Sequence, residues 1–147
     1  KWREKMKPLQ VVLDTSVLVA AVRSSQGASF RILQLVGDPR WKLNLSPALL
    51  FEYEEIAAIH AEKFWREPER LADLLDFLIA NSNRPMISYS WRPILRDADD
   101  DMVMELAIAA QAKFIVTHNV RDFDGAARFG VGVLTPAGFL RKLETKI

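Results

Sequence analysis

Residues 96–123, RDADDDMVMELAIAAQAKFIVTHNVRDF, constrain the fold more than any other stretch. Four acids occupy five positions, Asp97, Asp99, Asp100 and Asp101, at the head of an apolar helical pattern from Met102 to Ala112. A short run of buried-strand character, Phe114 to Thr117, follows, and then a polar turn carrying Asn119 and Asp122. A helix start and a strand end, both acidic and about 20 residues apart, therefore belong to one αβ unit. Such a unit folds back on its sheet and brings its two ends towards one rim.

The remainder of the chain alternates in the same way. Leu9 to Leu13 reads as a buried strand ending at Asp14, with Thr15 and Ser16 able to cap a helix through Val22. Helical spacing over Ala28 to Val36 stops at Gly37-Asp38-Pro39, and Leu43 to Leu45 is a short strand. Ser46-Pro47 opens a helix running to Trp65, with serine as cap and proline at the first position. Glu69 to Ala80 forms another helix, Pro85 to Tyr89 a strand, and Val131 to Leu134 a last strand. Thr135-Pro136 repeats the cap-and-proline start of a terminal helix reaching Lys146. Short, wholly apolar strands between helices predict an α/β fold with a mainly parallel central sheet covered on both faces, an α/β/α sandwich. In such sheets ligands bind beyond the carboxyl ends of the strands, where the strand order reverses. Asp14 ends one strand and Asn119 and Asp122 follow another, so they share a rim.

Bulk properties narrow the function. The 147 residues suit one domain, 1–147, with the basic residues 1–8 read as an extension before it. Twenty basic against 19 acidic residues leave a net charge of +1, so nucleic acid would be held by a local patch rather than a global field. No cysteine is present, which removes disulfides, thiol nucleophiles and zinc–thiolate sites and fits a cytoplasmic protein. The most apolar run, Val11 to Val22, is broken by Asp14, Thr15 and Ser16, so no membrane span is expected. No small-residue cleavage site follows it, which argues against a signal peptide.

The carboxylates carry the chemistry. Asp14 directly follows Val-Val-Leu, where a charge needs a partner, a hydrogen bond or a metal; a helix cap is the plainer role. On a helical wheel Leu49, Tyr53, Ile56, Ala57 and Phe64 form the apolar face of the Pro47–Trp65 helix, and Glu52 falls at its edge. Glu54 and Glu55 lie farther round, so Glu52 is the inward-leaning acid, unless it is one more solvated glutamate. Capping and the helix dipole, each worth roughly 0.3–1 kcal/mol, favour one or two of the clustered aspartates but not four that repel each other. A divalent cation accounts for the count better. Asp101 is the favoured ligand, Asp99 the cap and Asp97 a supporting or alternate ligand. Asp122 is a further candidate, or a loop turn. Oxygen donors without thiolates suit Mg²⁺ or Mn²⁺, and such sites activate water in phosphodiester cleavage. No Walker A motif, GxGxxG or Ser-His-Asp order is present.

VVLDTSVLVAA near the start, SPALLFEYEEIA in the middle and DADDDMVMELAIAAQAKFIVTHNVRDF together resemble PIN domains, over about residues 9 to 140. The closest resemblance is to the branch containing toxins of toxin–antitoxin pairs. It implies a metal-dependent ribonuclease whose acids match Asp14, Glu52 and Asp101. The fourth family acid stands two residues after the threonine; here that position is Asn119, and Asp122 offers the nearest replacement charge. Thr15, Ser16 and Thr117 match positions that hydrogen-bond around the site. The resemblance further implies RNA as substrate, a cognate antitoxin covering the acidic rim, and a homodimer. Arg92, Arg96 and Arg121 are placed to hold RNA phosphates or to pair with the aspartates, and Trp91 to stack a base or to pack. Trp2, Trp41 and Trp65 suit an interface or the core.

Two other readings compete. Asn119 favours a PIN-fold module that binds RNA or protein without cutting. A haloacid-dehalogenase-like phosphatase would use Asp14 as nucleophile, but Ser16 stands where its second acid belongs.

Overall fold

The computed structural model describes residues 7–64, 68–87 and 98–145, with side chains described for 7–60, 69–87 and 100–145. Arg92, Arg96, Asp97, Trp2, Trp65 and Trp91 lie outside the described residues, as do the side chains of Phe64 and Asp99. Among the described residues five strands form the sheet: β1 (Leu9–Leu13), β2 (Trp41–Asn44), β3 (Ser82–Asn83), β4 (Phe114–Val116) and β5 (Gly132–Leu134). Six α-helices accompany them among the same residues: α1 (Thr15–Arg23), α2 (Ala28–Gln34), α3 (Pro47–Phe64), α4 (Pro68–Ala80), α5 (Ala98–Ala109) and α6 (Pro136–Glu144). A kinked 3-10 segment, Val120–Phe129, joins β4 to β5.

The order is β3-β2-β1-β4-β5, and every neighbouring pair is parallel. Helices flank this sheet in an α/β/α arrangement. The central strand explains itself: Val11, Val12 and Leu13 are all buried, which requires cover on both faces. Register pairs Val11 with Leu43 on one side and with Phe114 on the other. Phe114 lies opposite Gly132, where a Cβ would stand 2.9 Å from the Phe114 ring. Only glycine leaves room for that ring beside β5.

Helix boundaries follow local chemistry. Ser46 Oγ accepts from Leu49 N at 3.1 Å ahead of Pro47, and Thr135 Oγ1 accepts from Gly138 N at 3.1 Å ahead of Pro136. At the end of α5, Gln111 N donates to Ile108 O (3.1 Å) and Ala112 N to Ala107 O (2.8 Å). That is a Schellman closure, and it holds Gln111 at a φ of 51°.

Two details differ from the sequence reading, and the choice left open for Trp41 falls to the core. The edge strand is the polar pair Ser82–Asn83, because pairing with Leu43 and Asn44 is reached directly after α4; of the expected Pro85–Tyr89 strand, 85–87 carry no regular structure and 88–89 lie outside the described residues. Thr15 and Ser16 lie inside α1, and Asp14 holds the cap position without a side-chain capping bond. Trp41 is core, 2 % exposed, with its ring edge-on to Phe139 at 5.3 Å.

Candidate active-site cleft

β1 and β4 are neighbours whose onward connections diverge, one to β2 and the other to β5, so their carboxyl ends meet at the reversal of strand order. Asp14 N donates to Val116 O at 2.9 Å, which fixes the end of β1 against the end of β4. The Asp14 side chain, 7 % exposed, accepts two hydroxyls on the same oxygen. Ser16 Oγ and Thr117 Oγ1 each donate to its Oδ2 at 2.7 Å. Among the described residues Oδ1 has no donor. The bonds that a helix cap would make are absent, and hydroxyls take their place.

The network extends through backbone groups. Thr117 Oγ1 accepts from Asn119 N at 2.9 Å, and Ser16 Oγ accepts from His118 N at 3.1 Å. Thr117 is fully buried, and its own N–H donates to Leu134 O at 2.9 Å, so the loop after β4 is tied to three strands' ends. The His118 ring meets Ser29 Oγ at 2.8 Å.

Glu52 is placed by α3. Leu49, Tyr53 and Ala57 bury one face of that helix, and Glu52 lies half-buried beside it. Thr15 Oγ1 donates to Glu52 Oε1 at 2.7 Å, joining residues 37 apart in sequence. Tyr53 is wholly buried and its hydroxyl donates to the Leu13 carbonyl. Burial first, and then the negative charges of Asp14 and Glu52, push its phenol well above the ordinary pKa of 10.0. The tyrosine thus senses both carboxylates.

Asp14, Thr15, Ser16 and Glu52 line a cleft of about 540 Å³, while Tyr53 and Thr117 lie behind it. Asp14, Glu52, Asp100 and Asp122 supply its acids, and Asn119 and His118 its lip. Asp101, the next residue of α5, is half-buried like Asp100 but is not part of this lining. Arg121 is exposed on the 3-10 segment, also off the lining. Asp122 N bonds to Asn119 O at 3.0 Å, so the acid sits in the first turn of that segment. Sequence reading missed Arg23, His118 and the cleft position of Asp100. For Arg23 a signal existed: Ser16, Ala20 and Arg23 follow i, i+4, i+7 spacing on one face of α1.

Among the described residues no three acidic or histidine side chains are gathered as closely as an ion would hold them. The donor set is oxygen throughout its acids, with Asp14 and Glu52 oriented by hydroxyls, and this chemistry fits Mg²⁺ or Mn²⁺. No helix among the described residues is long and apolar enough to cross a membrane.

The sequence profile of the PIN domain matches residues 10–121. No curated protein sequence matches significantly. Among solved structures the chain is similar to VapBC2 from Rickettsia felis, crystallised bound to a DNA fragment from its promoter. The TM-score is 0.56 at 16 % identity, over 86 % of this chain and 98 % of that one. A likeness at that identity speaks for the fold. The family profile spans most of the chain and includes Asp14, Glu52, Asp100, Thr117 and Asn119, and the chain belongs to the PIN domain family.

Proposed function

We propose that this chain is a Mg²⁺- or Mn²⁺-dependent endoribonuclease acting as the toxin of a toxin–antitoxin pair in the cytoplasm. The observation that carries the reading is the convergence of Asp14, Glu52, Asp100 and Asp122 on one cleft at the β1/β4 rim. Asp14, Glu52 and Asp122 would hold the cation with an acid from the first turn of α5. The resemblance favours Asp101 for that role and the cleft lining favours Asp100. A divalent ion bound there acidifies water and neutralises charge at a phosphodiester. The protein's own part is orientation. Ser16 and Thr117 fix one oxygen of Asp14, and Thr15 fixes one oxygen of Glu52. Tyr53 stays protonated and keeps the end of β1 on α3. Asn119 offers a neutral oxygen or amide at the lip.

Phe51 and Ile59 lie on α3, 61 % and 66 % exposed, and supply apolar area that an antitoxin or a second copy would cover. A second reading, an RNA-binding module that does not cut, is favoured by Asn119, which removes one negative charge from the rim. The test is cleavage of a mixed panel of single-stranded and structured RNAs with Mg²⁺, Mn²⁺ or EDTA. Cutting that needs metal and disappears in Asp14→Asn supports the nuclease. A folded wild type that binds RNA and cuts none under either metal supports the module instead.

A further inference from the structure

His118, at the lip of the cleft, is tied at both its backbone and its ring. Its amide donates to Ser16 Oγ on α1 at 3.1 Å, and its ring Nε2 meets Ser29 Oγ on α2 at 2.8 Å. Ser29 is 4 % exposed and lies 89 residues away in sequence. Among the described residues no other group bonds to its hydroxyl. A buried hydroxyl that only accepted would leave its hydrogen without a partner, at a cost in free energy. Ser29 therefore donates, Nε2 accepts, and the neutral ring carries its hydrogen on Nδ1. The Ser16 hydroxyl is fixed from the other side. It accepts from the His118 amide, which leaves its own hydrogen for Asp14 Oδ2 at 2.7 Å. α1 and α2 pack together, so the turn after β4 is pinned across both.

We propose that Ser29 and His118 are positioning residues for the candidate cation site. The buried serine holds the imidazole as its Nδ1–H tautomer, and this bond fixes the backbone whose amide aims the Ser16 hydroxyl at Asp14. The role rests on the cation reading for what Asp14 holds, though not for the tie itself. Of the two donors on Asp14 Oδ2, Thr117 is fully buried, whereas Ser16 is half-buried in the first turn of α1. A serine side chain has three staggered positions, and the His118 amide favours the one that meets Asp14. With that amide displaced, Asp14 keeps one firm donor and its carboxylate turns more freely. Hydrogen-bond partners behind a ligand orient it and set its affinity for the ion. Satisfying a buried serine requires no more than a nearby carbonyl. Ser29 instead bonds a residue of the cleft whose amide already orders Asp14's partner.

The first measurement is imidazole ¹⁵N NMR in EDTA at about pH 8, which separates the two neutral tautomers without metal or RNA. The chain has two histidines, so His60 on α3 serves as the internal reference. His118 of the wild type is expected as the Nδ1–H form. In Ser29→Ala it should move towards the Nε2–H form that a histidine side chain prefers in water, with His60 unchanged. The second measurement is calorimetric titration of Mn²⁺ into the wild type, Ser29→Ala, His118→Leu and the double variant. Each single change should weaken binding about threefold to tenfold, less than the roughly 10–100-fold of a partner that touches the ligand directly at its upper end. The double variant should bind no more weakly than the weaker single, because both changes cut the same tie. An Nε2–H ring in the wild type, or a tautomer that Ser29→Ala leaves unchanged, overturns the proposal. Equal Mn²⁺ affinity in the wild type and Ser29→Ala does so too, as do additive losses in the double variant. A tautomer switch in a protein whose wild type binds no Mn²⁺ removes the cation site and keeps the tie between α1 and α2.

Discussion

Replacing Thr117 by valine keeps the shape of a fully buried side chain and deletes its hydroxyl. Two bonds go: the 2.7 Å donation to Asp14 Oδ2 and the 2.9 Å bond received from Asn119 N. A hydrogen bond to a charged group contributes about 1.5–3 kcal/mol. The Asn119 amide lies at an exposed lip where water can replace its acceptor, so it adds little. Ser16 remains on the same Asp14 oxygen at 2.7 Å, which keeps the loss towards the lower end, about 2 kcal/mol. For a domain of this size that is a fall in Tm of about 4–8 °C. Thr117→Ser keeps the hydroxyl and loses one methyl, about 1 kcal/mol. Urea denaturation in EDTA reads both variants without metal. In metal-dependent cleavage, loss of a ligand's hydrogen-bond partner is expected to cost about 10–100-fold in Thr117→Val, and much less in Thr117→Ser. A valine variant as stable as the wild type, or less damaged than the serine variant, would refute the idea that this hydroxyl holds Asp14.

Other outcomes follow from single contacts. Tyr53→Phe strips the Leu13 carbonyl of its donor and should cost about 1–3 kcal/mol at neutral pH. The folded phenol's pKa is raised above 10.0, so the unfolded chain loses that proton first. Stability should therefore be level below about pH 10 and fall by up to about 1.4 kcal/mol per pH unit above it, a limb that Tyr53→Phe flattens in pH-dependent melts. Gly132→Ala drives a Cβ to 2.9 Å from the Phe114 ring and should destabilise by about 1–3 kcal/mol in urea titration. Gln111→Gly relieves a left-handed φ of 51° at the end of α5 and should raise stability by up to about 1 kcal/mol. Asp100→Asn should reduce cleavage more than Asp101→Asn if the residue lining the cleft is the ligand; the reverse order would move the role to Asp101.

Much of this architecture was legible because its signals are local. Three valines and leucines in a row announce a strand covered on both sides, and Ser46-Pro47 and Thr135-Pro136 announce helix starts to the residue. Other features are decided by tertiary contact. The Thr15–Glu52 bond spans 37 residues, and nothing in the residues around Thr15 names its acceptor. Asp100 and Asp101 differ by one residue, about 100° around α5, and a run of aspartates carries no phase. The edge strand Ser82–Asn83 is two polar residues, paired only because β2 is there to receive them. The 3-10 segment has three residues per turn and holds Gly125, so no 3.6-residue periodicity marks it.

The central claim, that the carboxylates of the β1/β4 rim form a divalent-cation site, can be tested without knowing which RNA is cut. Calorimetric titration of Mn²⁺ into the wild type and into Asp14→Asn at neutral pH measures it directly. Saturable binding by the wild type, weakened at least about tenfold in Asp14→Asn with the fold intact, is the expected result. Equal binding by both proteins, or none by the wild type, would contradict the claim.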